Sequence, residues 1–364
     1  MKIKKLIIIF VILITTGCFN YVEINNLVIV SGIGIDYKDN KYVVTFENLY
    51  QNKESSDSNF ATGITKTATG DTIANAFDNI TLSLEKNPYY AHLKVVIISS
   101  EIANNHLDEL FDFFLRNNDI RNIFSLVISK DITPQEIFNS SSKYYPVVSE
   151  RIKNLLENNI YSNYISKNKY FKNIASNYLS GEKNITLSSI YKKDDELILG
   201  NLFVFDKKKV VGSLNQEQAL ILSIIDNNKP SSIIKVPCKI DSDKKLVIRI
   251  YESKTKFSIK KNEYKITNNL SAEIIENSCN INLENKESQK HITDNFEKEI
   301  SNQTIDLINY LKIINSDILG INNKYFVKYR SKNSNYFKDK NFKVDTILNI
   351  NKKGLIFEVK NDNE

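Results

Sequence analysis

The 364-residue chain is poor in the residue types that mark specialised folds and metal sites. It has three cysteines, three histidines, ten glycines, five prolines and no tryptophan. Three cysteines are too few for a disulfide-rich scaffold, and glycine and proline are too rare for a collagen-like or linker protein. The histidines, His92, His106 and His291, are far apart and form no His-x-x-x-His motif, and there is no Cys-x-x-Cys motif. We therefore predict no metal site.

Motifs of common enzymes are also missing. The chain has no Gly-x-Ser-x-Gly elbow and no Ser-x-x-Lys with suitable partners. Residues 32–34 (Gly-Ile-Gly) resemble the start of a dinucleotide fingerprint, but the third glycine is missing and a strand follows where a helix is required. We interpret this segment as a strand with a close backbone approach or a bulge. The carboxylates of 194–196 fall in a predicted turn. The sequence therefore predicts no catalytic residues, no cofactor and no enzymatic activity.

What the chain does contain is enough apolar material for sizeable cores. Hydrophobic residues make up 41% and aromatic residues 10% of the sequence, so a folded body of two or three domains is expected. Charged residues make up 25% and the mean hydropathy is −0.32. These values exclude a membrane protein with many spans.

The first eighteen residues have the pattern of an export signal. Three lysines precede the apolar run 6–14, which as a helix would span only about 14 Å of a hydrocarbon core about 30 Å thick. Small residues and Cys18 follow, as in the lipobox of bacterial lipoproteins. We predict cleavage between Gly17 and Cys18 and a diacylglyceryl thioether on Cys18. The alternatives are an ordinary signal peptide and an uncleaved anchor.

Cleavage would also change the net charge of the chain. The formal charge of +6 falls to +3 because the segment 1–17 contains three lysines. This weak excess argues against a nucleic-acid partner and permits mild attraction to anionic lipid.

Hydrophobic periodicity predicts a mixed α/β (α+β) protein with several domains. Helices and strands alternate over 70–140, which favours mixed sheets packed with helices. The polar segment 51–69 is predicted as a loop, and 146–180 as mainly helical. Strands with period-two alternation and a long helix near 287–314 predict a C-terminal antiparallel sheet with a long helix. The predicted divisions are a signal peptide over 1–17, an N-terminal domain over 18–195 that can subdivide in two, and a C-terminal domain over 196–364.

Two cysteines in the second half leave two interpretations open. Cys238 and Cys279 can form a disulfide in an oxidising compartment, or they can be small buried apolar residues.

Several stretches, taken in order, resemble the Ger(x)C family, the C subunits of spore nutrient germinant receptors. Family members have a lipid-accepting cysteine followed by Trp-Asp, an Arg-Glu-Ile-like step and an Ile-Gly-Ile-Asp strand. Here Phe19-Asn20 replaces Trp-Asp, Val22 replaces the arginine, and Asn117 and Asp119 depart from the family's Arg-Asp-x-Glu-Ile-Arg segment. The similar stretches are 17–27, 30–36, 92–99, 115–121, 236–238, 253–256 and 317–320.

The resemblance implies a lipoprotein on the outer face of the inner spore membrane, where Cys18 carries diacylglycerol and an N-acyl lipid. It implies integral-membrane A-type and B-type subunits as partners and a role in nutrient-triggered germination. We expect His92, Arg116 and Arg121 to belong to a subunit contact, although Arg116 and Arg121 can equally pair with a helix C-terminus or a carboxylate. Two alternative functions stay open: a solute-binding lipoprotein that captures the nutrient itself, and a cell-surface hydrolase.

Overall fold

The computed structural model describes residues 26–51, 61–140, 145–158, 165–194, 196–227, 232–238, 244–279, 281 and 285–352. Within these ranges the chain forms a nine-stranded sheet and a four-stranded sheet, both packed with helices. The predicted mixed α/β class is confirmed.

The large sheet has the order β3-β2-β1-β5-β6-β7-β8-β9, and β4 pairs beside the start of β1. Strands β4 and β5 pair parallel to β1, and β6 pairs parallel to β5, so all four begin at one edge of the sheet. We use the name amino edge for the side of the sheet formed by these strand ends, where Leu27, Asn87, Val95 and Ser125 begin their strands. The strands are β1 (Leu27–Lys38), β2 (Lys41–Gln51), β3 (Ala61–Gly70), β4 (Asn87–Tyr89), β5 (Val95–Ile98), β6 (Ser125–Ser129), β7 (Thr186–Lys193), β8 (Glu196–Asp206) and β9 (Lys209–Leu214).

Helices cover both faces of the large sheet. One apolar core includes buried residues of α1, α2, α3 and α6, and a second includes residues of α4 and α5 on the other face. Thr133 begins α4 with a capping box to Glu136. The helices are α1 (Ile73–Leu82), α2 (Ser100–Asn105), α3 (Leu107–Arg116), α4 (Pro134–Phe138), α5 (Val148–Asn158) and α6 (Phe171–Ser180).

The prediction of a loop over 51–69 is wrong for its second part, because 61–70 is the edge strand β3. Threonine recurs along β3, and β-branched side chains suit a pleated, half-exposed surface. The hydroxyls of Thr45 and Thr67 lie 2.9 Å apart across β2 and β3. Cross-strand pairing therefore stabilises a segment that has little apolar periodicity of its own.

Gly32 marks both a bulge and a close approach in β1, as its sequence context predicts. The register between β1 and β2 shifts between Val30 and Gly32. A Cβ atom at Gly32 would lie 2.5 Å from Cε1 of Phe138. The absent side chain is what allows α4 to pack directly on the strand.

The second sheet differs in one respect from the antiparallel sheet that was predicted. Strands β10, β11 and β12 are antiparallel, but β13 pairs parallel to β12. Three helices follow β12 and return the chain to the start of that strand, and a parallel pair requires such a crossover. The elements are α7 (Gln216–Ile225), β10 (Ser232–Pro237), β11 (Lys245–Ile259), β12 (Glu263–Asn277), α8 (Lys286–Ile313), α9 (Ile321–Tyr329), α10 (Tyr336–Asp339) and β13 (Asn341–Lys352).

The two halves share one continuous core. Leu202 and Val204 of β8 pack in the same cluster as the buried residues of α8 and the four-stranded sheet. The hydroxyl of Tyr310 in α8 accepts a hydrogen bond from the N–H of Ser213 at 3.2 Å and donates to its carbonyl at 3.1 Å. Helix α8 therefore covers the outer edge of β9 and joins the two sheets.

Cys238 and Cys279 form a disulfide, which decides between the two interpretations left open above. Their Cα atoms lie 5.6 Å apart and the bond closes a sequence separation of 41 residues. Cys238 follows the edge strand β10 and Cys279 follows β12, so the bond ties an edge of the second sheet to its interior.

No helix within the described ranges is both long enough and apolar enough to cross a membrane.

Candidate membrane and subunit contact surface

The predicted lipidation and cleavage positions, Cys18 and Gly17, lie outside the described residues. The described chain begins at Asn26, and β1 begins at Leu27. The chain therefore enters the fold at the amino edge of the large sheet.

The three predicted contact residues all lie on connections that lead into this edge. His92 is exposed in the connection before β5, and its ring centroid lies 6.0 Å from that of Tyr89. Arg121 is exposed in the connection before β6, where its carbonyl accepts the N–H of Ile123 at 2.8 Å. Arg116 ends α3.

Ring contacts locate the end of α3 at the same edge. The ring centroid of Phe114, two residues before Arg116, lies 4.9 Å from that of Phe124, which directly precedes β6. The side chain of Arg116 is 78% exposed, and its Nε lies 2.6 Å from Oδ1 of Asp112. Such a surface pair within one helix contributes about 0.3–0.5 kcal/mol. The pair fulfils the local carboxylate role considered for Arg116 and leaves most of the guanidinium accessible.

Sequence reasoning missed one buried carboxylate, Glu47 of β2. Its Oε1 accepts the N–H of Val148 at 2.6 Å, and its Oε2 accepts the N–H of Ser149 at 2.9 Å, so the side chain caps the start of α5. The hydroxyl of Ser31 also donates to Oε2, at 3.0 Å. Burial raises the pKa of the Glu47 carboxyl, while these hydrogen bonds lower it in part.

The hydrogen bonds of Glu47 predict a large stability effect. Glu47→Ala leaves two buried backbone N–H groups without an acceptor, and each costs about 1–3 kcal/mol. We expect a lower free energy of unfolding, measured by urea denaturation, with a smaller loss for Glu47→Gln. The exposed Glu217 provides the control, since Glu217→Gln should stay within about 0.5 kcal/mol of the wild type. Equal stability of Glu47→Ala and the wild type would contradict this assignment.

A cavity of about 720 Å³ lies where the two halves meet. The buried carboxylate of Asp317 accepts hydrogen bonds from the N–H groups of Ile321 and Asn322 at 2.9 and 2.7 Å. These bonds satisfy N–H groups in the first turn of α9. Burial raises the pKa of Asp317, and the backbone N–H donors lower it in part. Residues lining the cavity include Asp108, Tyr178, Lys183, Asp206, Asp317 and Lys338.

Among the described ranges, no group of three or more His, Cys, Asp or Glu side chains is placed to hold a metal ion.

Two family models match successive parts of the chain. Residues 20–191 match the model described as the spore germination protein N-terminal domain. Residues 200–354 match the model described as spore germination B3/GerAC like, C-terminal. The chain belongs to the Ger(x)C family of spore germination proteins. The two matches follow each other in order and together cover most of this Ger(x)C protein.

A solved structure titled the crystal structure of the GerBC protein has a similar fold. The match has a TM-score of 0.52 at 14% sequence identity and covers 88% of this chain and 97% of the GerBC chain. At this identity the likeness concerns the fold alone. No curated protein matches the chain at a significant level.

Proposed function

We propose that this Ger(x)C protein is a lipid-anchored subunit of a spore germinant receptor. In this proposal, diacylglycerol and an N-acyl lipid on Cys18 hold it on the outer face of the inner spore membrane. There it assembles with integral-membrane A-type and B-type subunits and is required for nutrient-triggered germination. The observation that carries the proposal is the match of both halves, in order, to germination-protein families.

Two features support export and anchoring. The basic, apolar and small-residue segments of 1–17 precede Cys18 in the order that lipoprotein signals use. The disulfide between Cys238 and Cys279 is typical of proteins that leave the reducing cytosol.

We propose further that the subunit transmits the nutrient signal and has no catalytic activity. A ligand shifts an equilibrium only through different affinities for two states. If the nutrient binds a membrane subunit, this protein acts by stabilising one state of that subunit through an exposed contact. The exposed side chains of His92, Arg116 and Arg121 are our candidates for this contact.

Arginine substitutions test the proposed contact. We expect spores carrying Arg116→Ala and Arg121→Ala to germinate more slowly, at a normal protein level on a blot, because a subunit contact is weakened. The ranking of nutrients in a panel should not change. Lys41→Ala is the matched control and should leave the germination rate unchanged. Lys41 is exposed at the end of β2 that lies away from the amino edge.

The nutrient panel also separates the two proposed functions. Altered nutrient preference at a normal protein level would place the ligand site in this subunit and support a solute-binding lipoprotein. The cavity of about 720 Å³ is the observation that favours this alternative, because its volume suits a small molecule. The shared core of the two halves favours the first function, since solute-binding proteins close by a hinge between lobes.

A further inference from the structure

Exposed apolar side chains of the first half concentrate at the amino edge. Between residues 26 and 194, the described ranges contain eight exposed large apolar side chains, and at least six of them lie toward this edge. Leu82 is 84% exposed and Ile123 is 52% exposed. The six are Tyr50, Ile64, Leu82, Tyr89, Leu115 and Ile123. Clustered exposure of this kind marks an interaction surface.

The strand register brings Tyr50, Ile64 and Tyr89 to the same end of neighbouring strands. Tyr89, Ile29, Leu49 and Gly63 pair in one row across four neighbouring strands. At about 4.8 Å per strand, this row is about 14 Å wide. Tyr50 follows Leu49 directly, beyond the row.

The helices and connections add the remaining members. Helix α1 returns the chain from the end of β3 to the start of β4, so Leu82 at its end reaches the amino edge. Ile123 lies two residues before β6. These residues come from separate parts of the sequence, and the fold brings them to the same end of the sheet.

The direction of chain entry indicates what lies against this edge. Leu27 is nine residues after Cys18, and an extended chain of that length reaches about 30 Å at most. A lipid on Cys18 would therefore keep the amino edge near the bilayer surface. This step rests on the lipid anchor of the proposed function.

The chemistry of the edge suits an anionic bilayer surface. Tyrosine side chains such as Tyr50 and Tyr89 favour the lipid headgroup region, because the ring is apolar and the hydroxyl can hydrogen-bond to water. Lys86 and Arg121 are exposed on connections into the same edge, and the exposed Lys172, at the start of α6, donates its backbone N–H to Asn122 in the connection before β6. Basic side chains are attracted to anionic headgroups.

We propose that the amino edge is a membrane-docking face. In this arrangement Tyr50, Leu82, Tyr89 and Ile123 lie against the headgroup region of an anionic bilayer. The opposite edge of the sheet, where β1 ends at Lys38, then points away from the membrane. Docking fixes the orientation of the subunit, which a lipid on Cys18 alone would not do.

Spin labels on the processed, full-length lipoprotein test this proposal. The variants Tyr89→Cys and Ile123→Cys carry a nitroxide at the amino edge, and Leu179→Cys is the control. Leu179 is a matched control because it is 67% exposed and lines the cavity of about 720 Å³ together with Asp108, which lies at the start of α3, whereas Arg116 ends α3. Each protein is reconstituted in vesicles of phosphatidylglycerol and phosphatidylcholine without any other protein. Collision rates with lipid-soluble oxygen and with an aqueous nickel chelate are then compared.

The expected result is a several-fold lower nickel accessibility and a higher oxygen accessibility at positions 89 and 123 than at 179. Equal, water-like values at all three positions would overturn the proposal, and would leave a protein partner as the occupant of this face. Mass spectrometry of the N-terminal peptide from the same sample separates the two failures. A peptide without lipid refutes the anchor and the docking face together, whereas a lipidated protein with water-like labels refutes the docking face alone.

Discussion

Cys18→Ala in the full chain is expected to accumulate as an unprocessed precursor without diacylglycerol. The thioether can form only on the cysteine sulfur, and cleavage of lipoprotein signals follows lipidation. Each buried CH₂ group contributes about 0.8 kcal/mol, so two or more acyl chains anchor a protein stably whereas one chain is marginal. The apolar run 6–14 is too short to replace the anchor as a membrane span. We therefore also expect loss of nutrient-triggered germination.

Metabolic labelling with palmitate measures this directly. The wild type should incorporate label into a processed protein, and Cys18→Ala should incorporate none. Thr16→Ala is the matched control, because it keeps a small residue before the cleavage position and should remain labelled. Label that persists in Cys18→Ala would show that lipid attaches elsewhere or that no lipobox operates here.

The double substitution Cys238→Ser with Cys279→Ser is expected to lower the free energy of unfolding by about 4 kcal/mol. This figure follows from the loop-entropy relation for a closed loop of 41 residues. Without the bond, the edge strand β10 is held by its pairing with β11 and by the buried side chain of Ile234. We expect the second sheet to lose more stability than the first.

Denaturation with and without reductant measures the effect of the disulfide. Reduction should lower the denaturation midpoint of the wild type and leave that of the double variant unchanged. The double variant therefore controls for other effects of the reductant. Two titratable thiols in the unreduced wild type would show that Cys238 and Cys279 do not pair.

Local signals predicted much of the fold. Thr133, Pro134 and Glu136 contain a complete helix start in four residues, and the long helix α8 shows its apolar period without reference to the rest of the chain. Strand β3 was missed because its threonines have no apolar alternation and depend on pairing with β2. The parallel direction of β13 was missed because it depends on where three helices return the chain.

The candidate surface was predictable only in part. His92, Arg116 and Arg121 bracket a strand and helix unit in the sequence, which is why they could be proposed together. Glu47 could not be assigned a role, because its partner Val148 lies 101 residues away. The only local signal was a charged residue among the buried positions of β2. The exposed residue Tyr50 joins the surface through strand register, which the sequence does not specify.

The central claim is that this Ger(x)C protein works as a lipid-anchored subunit assembled with integral-membrane partners. Affinity capture of the tagged full-length protein from detergent-solubilised inner spore membrane tests this claim most directly. The account predicts that A-type and B-type subunits co-purify with the wild type, and that Cys18→Ala captures much less of both at equal expression. Recovery of the wild-type protein from the inner membrane without either integral-membrane subunit would contradict it.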